Sequence, residues 1–116
     1  MWEDDFSGME LDPETWSYEL GDGCPDLCGW GNSELQTYTE RPENAHIDNG
    51  FLVIEAREEQ VDGSQFTSAR IITQGKEAFQ LGRIDIRAKM PEGQGMWPAL
   101  WMLGESIQSV GWPSCG

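Results

Sequence analysis

The sequence predicts an all-β fold, and three observations support this. Helical periodicity is nearly absent, short apolar runs recur along the chain, and turn residues separate these runs. Short strands at this spacing indicate an antiparallel sandwich or barrel. A chain of 116 residues has the length of one modest domain.

One helical signal lies near the amino terminus. In the stretch "LDPET", Asp12 stands at the N-cap position and Pro13 at the first helical position. We expect a single turn from Leu11 to Trp16.

Three later runs predict strands. "GFLVIEAR" at 50–57 follows the turn residues "DN", and "QFTSARIIT" at 65–73 follows "DGS". "GRIDIRAKM" at 82–90 alternates strictly between apolar and charged residues, as a half-buried strand does. In the second run, Phe66 and Arg70 are predicted to share a face. An arginine on such a face needs a partner, so spacing alone favours an edge position or a structural ion pair.

A tryptophan-rich run, "MWPALWML" at 96–103, follows the turn "PEGQG". If it is a strand, Trp97 and Trp101 share a face and stand about 13 Å apart, at about 3.3 Å per residue. Indole has the flat apolar face and the single N–H donor that suit a sugar ring. The pattern alone leaves two alternatives open, a carbohydrate cleft and a tryptophan-rich core.

The charge of the chain limits its partners. Seven Lys and Arg against 21 Asp and Glu give a net charge of −14. This balance disfavours nucleic acids, anionic membranes and sulfated or carboxylated polymers as ligands, and it allows a neutral partner. The longest nearly uncharged apolar run, 96–104, is too short to span a membrane.

The cysteines leave one pairing open. Cys24 and Cys28 lie in a Gly/Pro-rich loop. They either form a small disulfide, which implies an oxidising compartment, or remain two free thiols. Cys115 is interpreted as a small buried hydrophobe. A metal site on these cysteines is disfavoured, because the single histidine, His46, is expected in a polar turn region.

Five motifs together resemble a known family. They occur in one order and spacing, and the resemblance extends from Trp2 to Gly116: "GWGNSELQTYT", "NGFLVIEAR", "TSARIIT", "FQLGRIDIRAKMPEGQGMWPALWML" and "GWPSCG". The chain closely resembles glycoside hydrolase family sixteen, specifically its bacterial laminarinase-like endo-β-1,3-glucanases. The resemblance implies a curved, concanavalin-like jelly-roll sandwich with a cleft along its concave sheet.

The resemblance also implies where the catalytic residues lie. In these enzymes the "WPxCG" stretch leads into a strand of the form Glu-x-Asp-x-x-Glu, which carries the nucleophile and the acid/base. We therefore expect residues 1–116 to be the N-terminal part of one catalytic domain, incomplete, without catalytic residues and inactive alone. Among the other acids, Glu34 is interpreted as a solvated loop residue, and Glu55 and Asp85 as surface acids paired with arginines.

The implied substrate site contains Asn32, Arg70, Trp97, Trp101 and Trp112. By resemblance, Asn32 hydrogen-bonds a sugar, Arg70 is the sugar-binding arginine, and the tryptophans line the cleft. For Trp30, a cleft position and packing within the loop both stay open. No cofactor is required, although some relatives carry a structural calcium ion, and here its ligands would include Asp5 and the carbonyl of Gly50.

The expected activity is retaining hydrolysis of internal β-1,3-glucosidic bonds in laminarin-type β-glucan. The expected partner is thus a neutral polysaccharide, bound by a secreted protein that is a monomer at full length. The alternatives are a non-catalytic β-glucan-recognition protein and a family member that acts on mixed-linkage glucan or galactan.

Overall fold

The computed structural model describes residues 1–116, which form two compact units, Met1–Glu77 and Ala78–Gly116. All the strands lie in the first unit, and they confirm the predicted all-β class. The elements are β1 (Ser17–Glu19), a 3₁₀ segment (Cys28–Gly31), β2 (Gln36–Tyr38), β3 (Ala45–Asp48), β4 (Phe51–Ile54), β5 (Arg57–Val61), β6 (Ser64–Ser68), β7 (Arg70–Ile72) and α1 (Ile107–Val110). No helix has the length and hydropathy needed to cross a bilayer.

The strands form three small sheets. β1 pairs with β7, β3 pairs with β4, and β6 lies between β2 and β5. All pairs are antiparallel except β2–β6, which is parallel and departs from the purely antiparallel prediction. A long connection separates β2 from β6 in the sequence, so local patterning gives no signal for this pairing.

Two predicted turns join antiparallel strands. The β3–β4 turn contains Asn49 at φ 50° and Gly50 at φ 75°. The β5–β6 turn contains Asp62 at φ 49° and Gly63 at φ 86°. Two consecutive residues with positive φ match the twist of a hairpin, and Asn-Gly and Asp-Gly tolerate them best. Both turn signals are therefore confirmed, and the structure adds β3, which the sequence did not predict.

The predicted turn near the amino terminus is also confirmed. The Asp12 carbonyl accepts a hydrogen bond from the Trp16 N–H at 2.9 Å, while the Asp12 carboxylate accepts one from the Glu14 N–H at 2.9 Å. The Lys76 ammonium then donates to the carbonyl oxygens of Pro13 and Trp16. The capping predicted from "LDPET" thus forms, and a distant lysine ties the turn to the rest of the first unit.

The strand predicted at 65–73 is interrupted at Ala69. Residues before this break join β2 and β5, whereas residues after it join β1. The two-residue side-chain period holds only while the backbone stays in one ladder. The shared face predicted for Phe66 and Arg70, which lie on either side of this break, stays a prediction.

The strands predicted at 82–90 and 96–103 do not form. Neither segment joins a β-ladder, and α1 is the regular element of the second unit. Alternation fixes the face of each side chain only when a neighbouring strand supplies backbone partners, and none pairs with these segments here.

Two smaller expectations are also wrong. His46 lies in β3, where its Nδ1 is 2.7 Å from the Pro42 carbonyl, and not in a turn. Cys115 is a free cysteine that is partly exposed, and not a fully buried hydrophobe.

The Gly104 backbone lies so close to the Cys115 carbonyl that a side chain at position 104 would collide with it.

The interior of the first unit is largely polar. Asn44 and Thr67 are completely buried, with Thr37, Ala45 and Ala69 nearly so. The Asn44 amide donates to Thr67 Oγ1 at 2.9 Å and to the Glu55 carbonyl at 3.0 Å. Arg41 and Thr39 donate to Asn44 Oδ1, and Arg41 also forms an ion pair with Glu59. This buried-amide network joins β2, β5 and β6 to the start of β3.

The network predicts a specific acid sensitivity. Hydrogen bonds from Thr67 and then Arg41 hold the pKa of the Glu59 carboxyl below its ordinary value of 4.5. A lowered pKa in the folded state stabilises the fold above the ordinary pKa, and this stabilisation is lost as the pH falls through the folded-state value. In urea unfolding between pH 6 and pH 3, Glu59→Gln is expected to flatten the pH dependence, whereas the exposed Glu58→Gln leaves it unchanged. Equal slopes for Glu59→Gln and wild type would contradict this.

Candidate substrate-binding site

A polar and aromatic cluster lies where β1, β2 and β7 of the first unit meet the loop around the 3₁₀ segment. We name it the Arg70 cluster, and it contains two of the predicted site residues. Its members are Glu19, Trp30, Asn32, Glu34, Gln36, Tyr38 and Arg70.

Arg70 is placed by strand pairing. It lies on β7 directly opposite Glu19 on β1, and its Nε is 2.5 Å from Glu19 Oε2. The side chains are 22% and 27% exposed, and the contact is an ion pair that lacks the alignment of a hydrogen bond. The ion pair that spacing predicted for Arg70 is confirmed. Its role in sugar binding stays a prediction.

Trp30 forms the platform beneath Arg70. The guanidinium carbon of Arg70 lies 4.4 Å from the centre of the indole, within the range of a cation–π contact. The indole packs against Tyr38 with ring centres 5.6 Å apart, and its N–H donates to the Gly21 carbonyl at 3.2 Å. The same carbonyl accepts the Tyr38 backbone N–H at 2.9 Å. Trp30 therefore packs against residues of β2 and β7, and both the cleft position and packing within the loop stay open for it.

Glu34 is the acceptor that joins the polar members. Its Oε2 accepts hydrogen bonds from Gln36 Nε2 at 2.6 Å and Tyr38 Oη at 2.9 Å, and its Oε1 accepts one from Asn32 Nδ2 at 3.1 Å. Interpreting Glu34 as a solvated loop acid was therefore wrong. No local signal marked this role, because Glu34 precedes β2, and its bonds to Gln36 and Tyr38 depend on how the preceding loop folds.

Tyr38 is kept protonated in this setting. Burial first, and then its hydrogen bond to Glu34, raise the pKa of Tyr38 to about 12. At neutral pH the hydroxyl is therefore a hydrogen-bond donor to the carboxylate. It links the exposed polar end of the cluster, Asn32, to the aromatic end, Trp30.

A disulfide closes the loop that carries Trp30. Cys24 and Cys28 are bonded, so the disulfide alternative is confirmed. The loop is also tied by main-chain hydrogen bonds from Leu27 N–H to the Gly23 carbonyl at 2.7 Å and from Gly29 N–H to the Asp22 carbonyl at 2.8 Å. Gly29 and Trp30 have φ of 59° and 51°, a left-handed backbone that turns the indole back toward the strands.

The three remaining predicted site residues lie in the second unit. Trp97, Trp101 and Trp112 are 70%, 48% and 76% exposed. None of them is buried within residues 1–116, and for the full-length protein the cleft and the core alternatives both stay open. Because 96–103 is not a strand, the predicted spacing of Trp97 and Trp101 on one face has no support, and their role in sugar binding stays a prediction.

Two of the other acids, Glu55 and Asp85, have arginine partners. Glu55 Oε1 is 2.8 Å from Arg57 Nη1, and Asp85 Oδ1 is 2.9 Å from Arg83 Nε. All four side chains are well exposed, as predicted for surface ion pairs.

The predicted calcium ligands do not form a metal-binding group. Asp5 is exposed, and hydrogen bonds from Ser7, its hydroxyl first and then its N–H, lower the pKa of the Asp5 carboxyl. Gly50 lies in the β3–β4 turn, and the chain holds no group of three or more His, Cys, Asp or Glu suited to a metal. Calcium takes six to eight oxygens, so two residues do not fit it by themselves. The calcium site stays a prediction.

The strands define an all-β protein, and comparison with known proteins assigns its family. The family model described as glycosyl hydrolases family 16 matches residues 32–111. This match covers most of the chain, from Asn32 in the Arg70 cluster to the glycine before Trp112. The chain belongs to this family, as the motifs predicted.

Individual relatives agree with the assignment. The chain is 47% identical to a β-glucanase of Rhodothermus marinus over 121 residues. Its structure matches a laminarinase from Flavobacterium sp. UMI-01 at 57% identity and a TM-score of 0.90. It matches the laminarinase catalytic domain from Thermotoga maritima MSB8 at 50% identity and a TM-score of 0.93. The predicted jelly-roll class is thereby confirmed.

The chain spans less than half the length of these relatives. All of it aligns with the Rhodothermus marinus protein, but it covers 40% of that protein. In each of the two laminarinase structures, 99% of the chain is matched and 47% of the laminarinase is covered.

Proposed function

We propose that the full-length protein hydrolyses internal β-1,3-glucosidic bonds of laminarin-type β-glucan with retention of configuration, and that residues 1–116 supply part of its substrate cleft. The observation that carries this proposal is the Arg70 cluster, found in a chain 57% and 50% identical to two laminarinases. A guanidinium on an indole face, beside an exposed amide, is suited to a neutral hydroxylated ligand.

The charge of the chain supports a neutral substrate. With a net charge of −14, the surface would repel sulfated or carboxylated polymers. Exposed Trp97, Trp101 and Trp112 supply apolar faces for the C–H surfaces of sugar rings. In the first unit, Arg70 and Asn32 would bind hydroxyl groups of the sugar.

The catalytic carboxyl pair is proposed to come from residues outside this chain. A retaining glycosidase needs a nucleophile and a general acid about 5–5.5 Å apart, and the pKa of the acid must be raised. The pKa values of Asp5 and Glu59 are lowered instead, and Glu55 and Asp85 are paired with arginines. Glu34 accepts hydrogen bonds from three donors, which favour its charged form. We propose that 1–116 belongs to one catalytic domain together with that missing pair.

The disulfide supports a proposal for the compartment in which the full-length protein acts. Thiols this close stay reduced in most cytosols, and the Cys24–Cys28 bond suits an oxidising, extracellular environment. We propose that the full-length protein is secreted and acts as a monomer on neutral glucan.

Reducing-sugar release by the full-length protein from laminarin, lichenan and agarose tests the activity. Laminarin is expected to be cut fastest, with the β-anomer formed first in proton NMR of the products. Laminarin that quenches tryptophan fluorescence but stays uncut would replace the proposal with a glucan-recognition role. Faster release from lichenan or agarose would reassign the substrate, and neither binding nor release would overturn the proposal.

A further inference from the structure

The amide of Asn32 is fixed in one orientation. Its nitrogen end is flanked by two acceptors, the Trp30 carbonyl at 3.2 Å and Glu34 Oε1 at 3.1 Å. An amide oxygen at that end would face two other oxygens, so the nitrogen must occupy it. Both N–H donors are therefore consumed within the protein, and Oδ1 is the atom that Asn32 can offer to a ligand.

We propose that Glu34 is a positioning residue that makes Asn32 an acceptor-only contact for a donating hydroxyl of the substrate. This inference rests on the proposed function, since the hydroxyl belongs to a neutral glucan. It changes the role expected from sequence, in which the amide both donates and accepts. With Oδ1 as the contact, Asn32 would accept a substrate O–H and disfavour a sugar whose oxygen is methylated or sulfated at that position.

The carboxylate of Glu34 is itself held in place. Its other oxygen accepts from both Gln36 and Tyr38, so rotation would break two hydrogen bonds to gain none. Tyr38 in turn packs against Trp30, whose ring lies beneath the Arg70 guanidinium. Glu34 thus links the orientation of the exposed Asn32 amide to the half-buried part of the cluster.

The charge of Glu34 also acts through Asn32. A carboxylate that accepts from the amide N–H polarises the amide, which makes Oδ1 a stronger acceptor. A glutamine at position 34 has the same shape, but it can present an oxygen to only one side. The other side then meets an amide nitrogen, which conflicts with either Asn32 Nδ2 or Gln36 Nε2.

Glu34→Gln in the full-length protein tests the proposal. The side-chain amide NMR signals of Asn32, assigned by their loss in Asn32→Ala, are expected to shift, and the KM for laminarin is expected to rise about 3- to 10-fold with kcat nearly unchanged. Glu55→Gln is the control, because Glu55 is an exposed acid paired with Arg57 outside the cluster. Glu55→Gln is expected to leave both the Asn32 amide signals and the KM for laminarin unchanged.

A double-mutant cycle separates positioning from an independent role. If Glu34 acts through Asn32, Glu34→Gln has no further effect on KM in an Asn32→Ala background. The same KM factor in both backgrounds, or unchanged Asn32 signals in Glu34→Gln, overturns the proposal. If Glu34→Gln does not fold, Asn32→Asp replaces it: its carboxylate would face Glu34, and unchanged laminarin binding by this variant overturns the proposal.

The two hypotheses fail differently. A wild-type protein that neither binds nor cuts laminarin overturns the proposed function and the glucan hydroxyl as ligand. The shift of the Asn32 amide signals in Glu34→Gln needs no ligand, so it still supports or overturns the positioning role of Glu34.

Discussion

Replacing Arg70 with lysine is expected to weaken laminarin binding by the full-length protein roughly 30- to 100-fold. Lysine keeps the positive charge but loses the planar guanidinium, which here lies 4.4 Å from the Trp30 ring centre and pairs with Glu19. A hydrogen bond to a charged group contributes about 1.5–3 kcal/mol and a cation–π contact about 0.5–1 kcal/mol. Their sum is about 2–4 kcal/mol, and because lysine keeps the positive charge we expect a loss in the lower part of this range, about 2–2.8 kcal/mol, at about 1.4 kcal/mol per tenfold.

The measurement is the Kd for a laminarin oligosaccharide, obtained by calorimetry on protein whose circular dichroism is unchanged. Arg57→Lys is a matched control, because Arg57 is an exposed strand arginine that pairs with Glu55 away from the Arg70 cluster. It is expected to bind with wild-type affinity. A folded Arg70→Lys protein with unchanged Kd would remove Arg70 from the binding site.

Replacing Asn44 with alanine is expected to lower the free energy of unfolding by about 3 kcal/mol. Asn44 is completely buried, and its side-chain amide makes four hydrogen bonds, with Thr39, Arg41, Thr67 and the Glu55 carbonyl. Alanine would leave these groups without that partner and would open a small cavity. Buried polar groups without partners are among the few causes of large single-residue effects.

Urea unfolding of the full-length protein measures this change. Gln65→Ala serves as the control, because it removes an exposed amide from β6, next to the buried Thr67. Its effect is expected to stay within about 0.5 kcal/mol. If Asn44→Ala lowers the free energy of unfolding by less than about 1 kcal/mol, water or neighbouring groups take over the hydrogen bonds of the Asn44 amide, which contradicts the prediction.

Local features of the fold were predictable from the sequence. The Asp12 turn and the Asn49-Gly50 and Asp62-Gly63 hairpins each depend on residues a few positions apart, which a sequence displays directly. The family motifs supplied the fold class, which periodicity alone left as a sandwich or a barrel. Both kinds of signal agreed with the structure.

The predictions that were wrong concern contacts between residues that are far apart in the sequence. The parallel β2–β6 pair joins segments separated by three intervening strands, and the break at Ala69 sends β6 and β7 to different sheets. The alternation at 82–90 predicted a strand, but a strand requires a ladder that one segment cannot supply.

The candidate site shows the same division. Asn32 and Arg70 were found by motif, and the ion pair of Arg70 was expected from the cost of burying a charge. Its partner Glu19 was missed because cross-strand pairing of β1 with β7 depends on register. Glu34 was misjudged because one acidic residue in a loop has no distinctive pattern until Gln36 and Tyr38 are placed on the same face.

The disulfide-closed loop has a practical consequence for recombinant production. Thiols stay reduced in the cytosol of common bacterial hosts, so protein made there would carry Cys24 and Cys28 unlinked. The segment that presents the indole to the guanidinium would then lose its covalent crosslink and keep its hydrogen bonds and the packing of Trp30 on Tyr38. Export to the periplasm, or expression in a strain with an oxidising cytosol, would yield protein that carries the crosslinked loop.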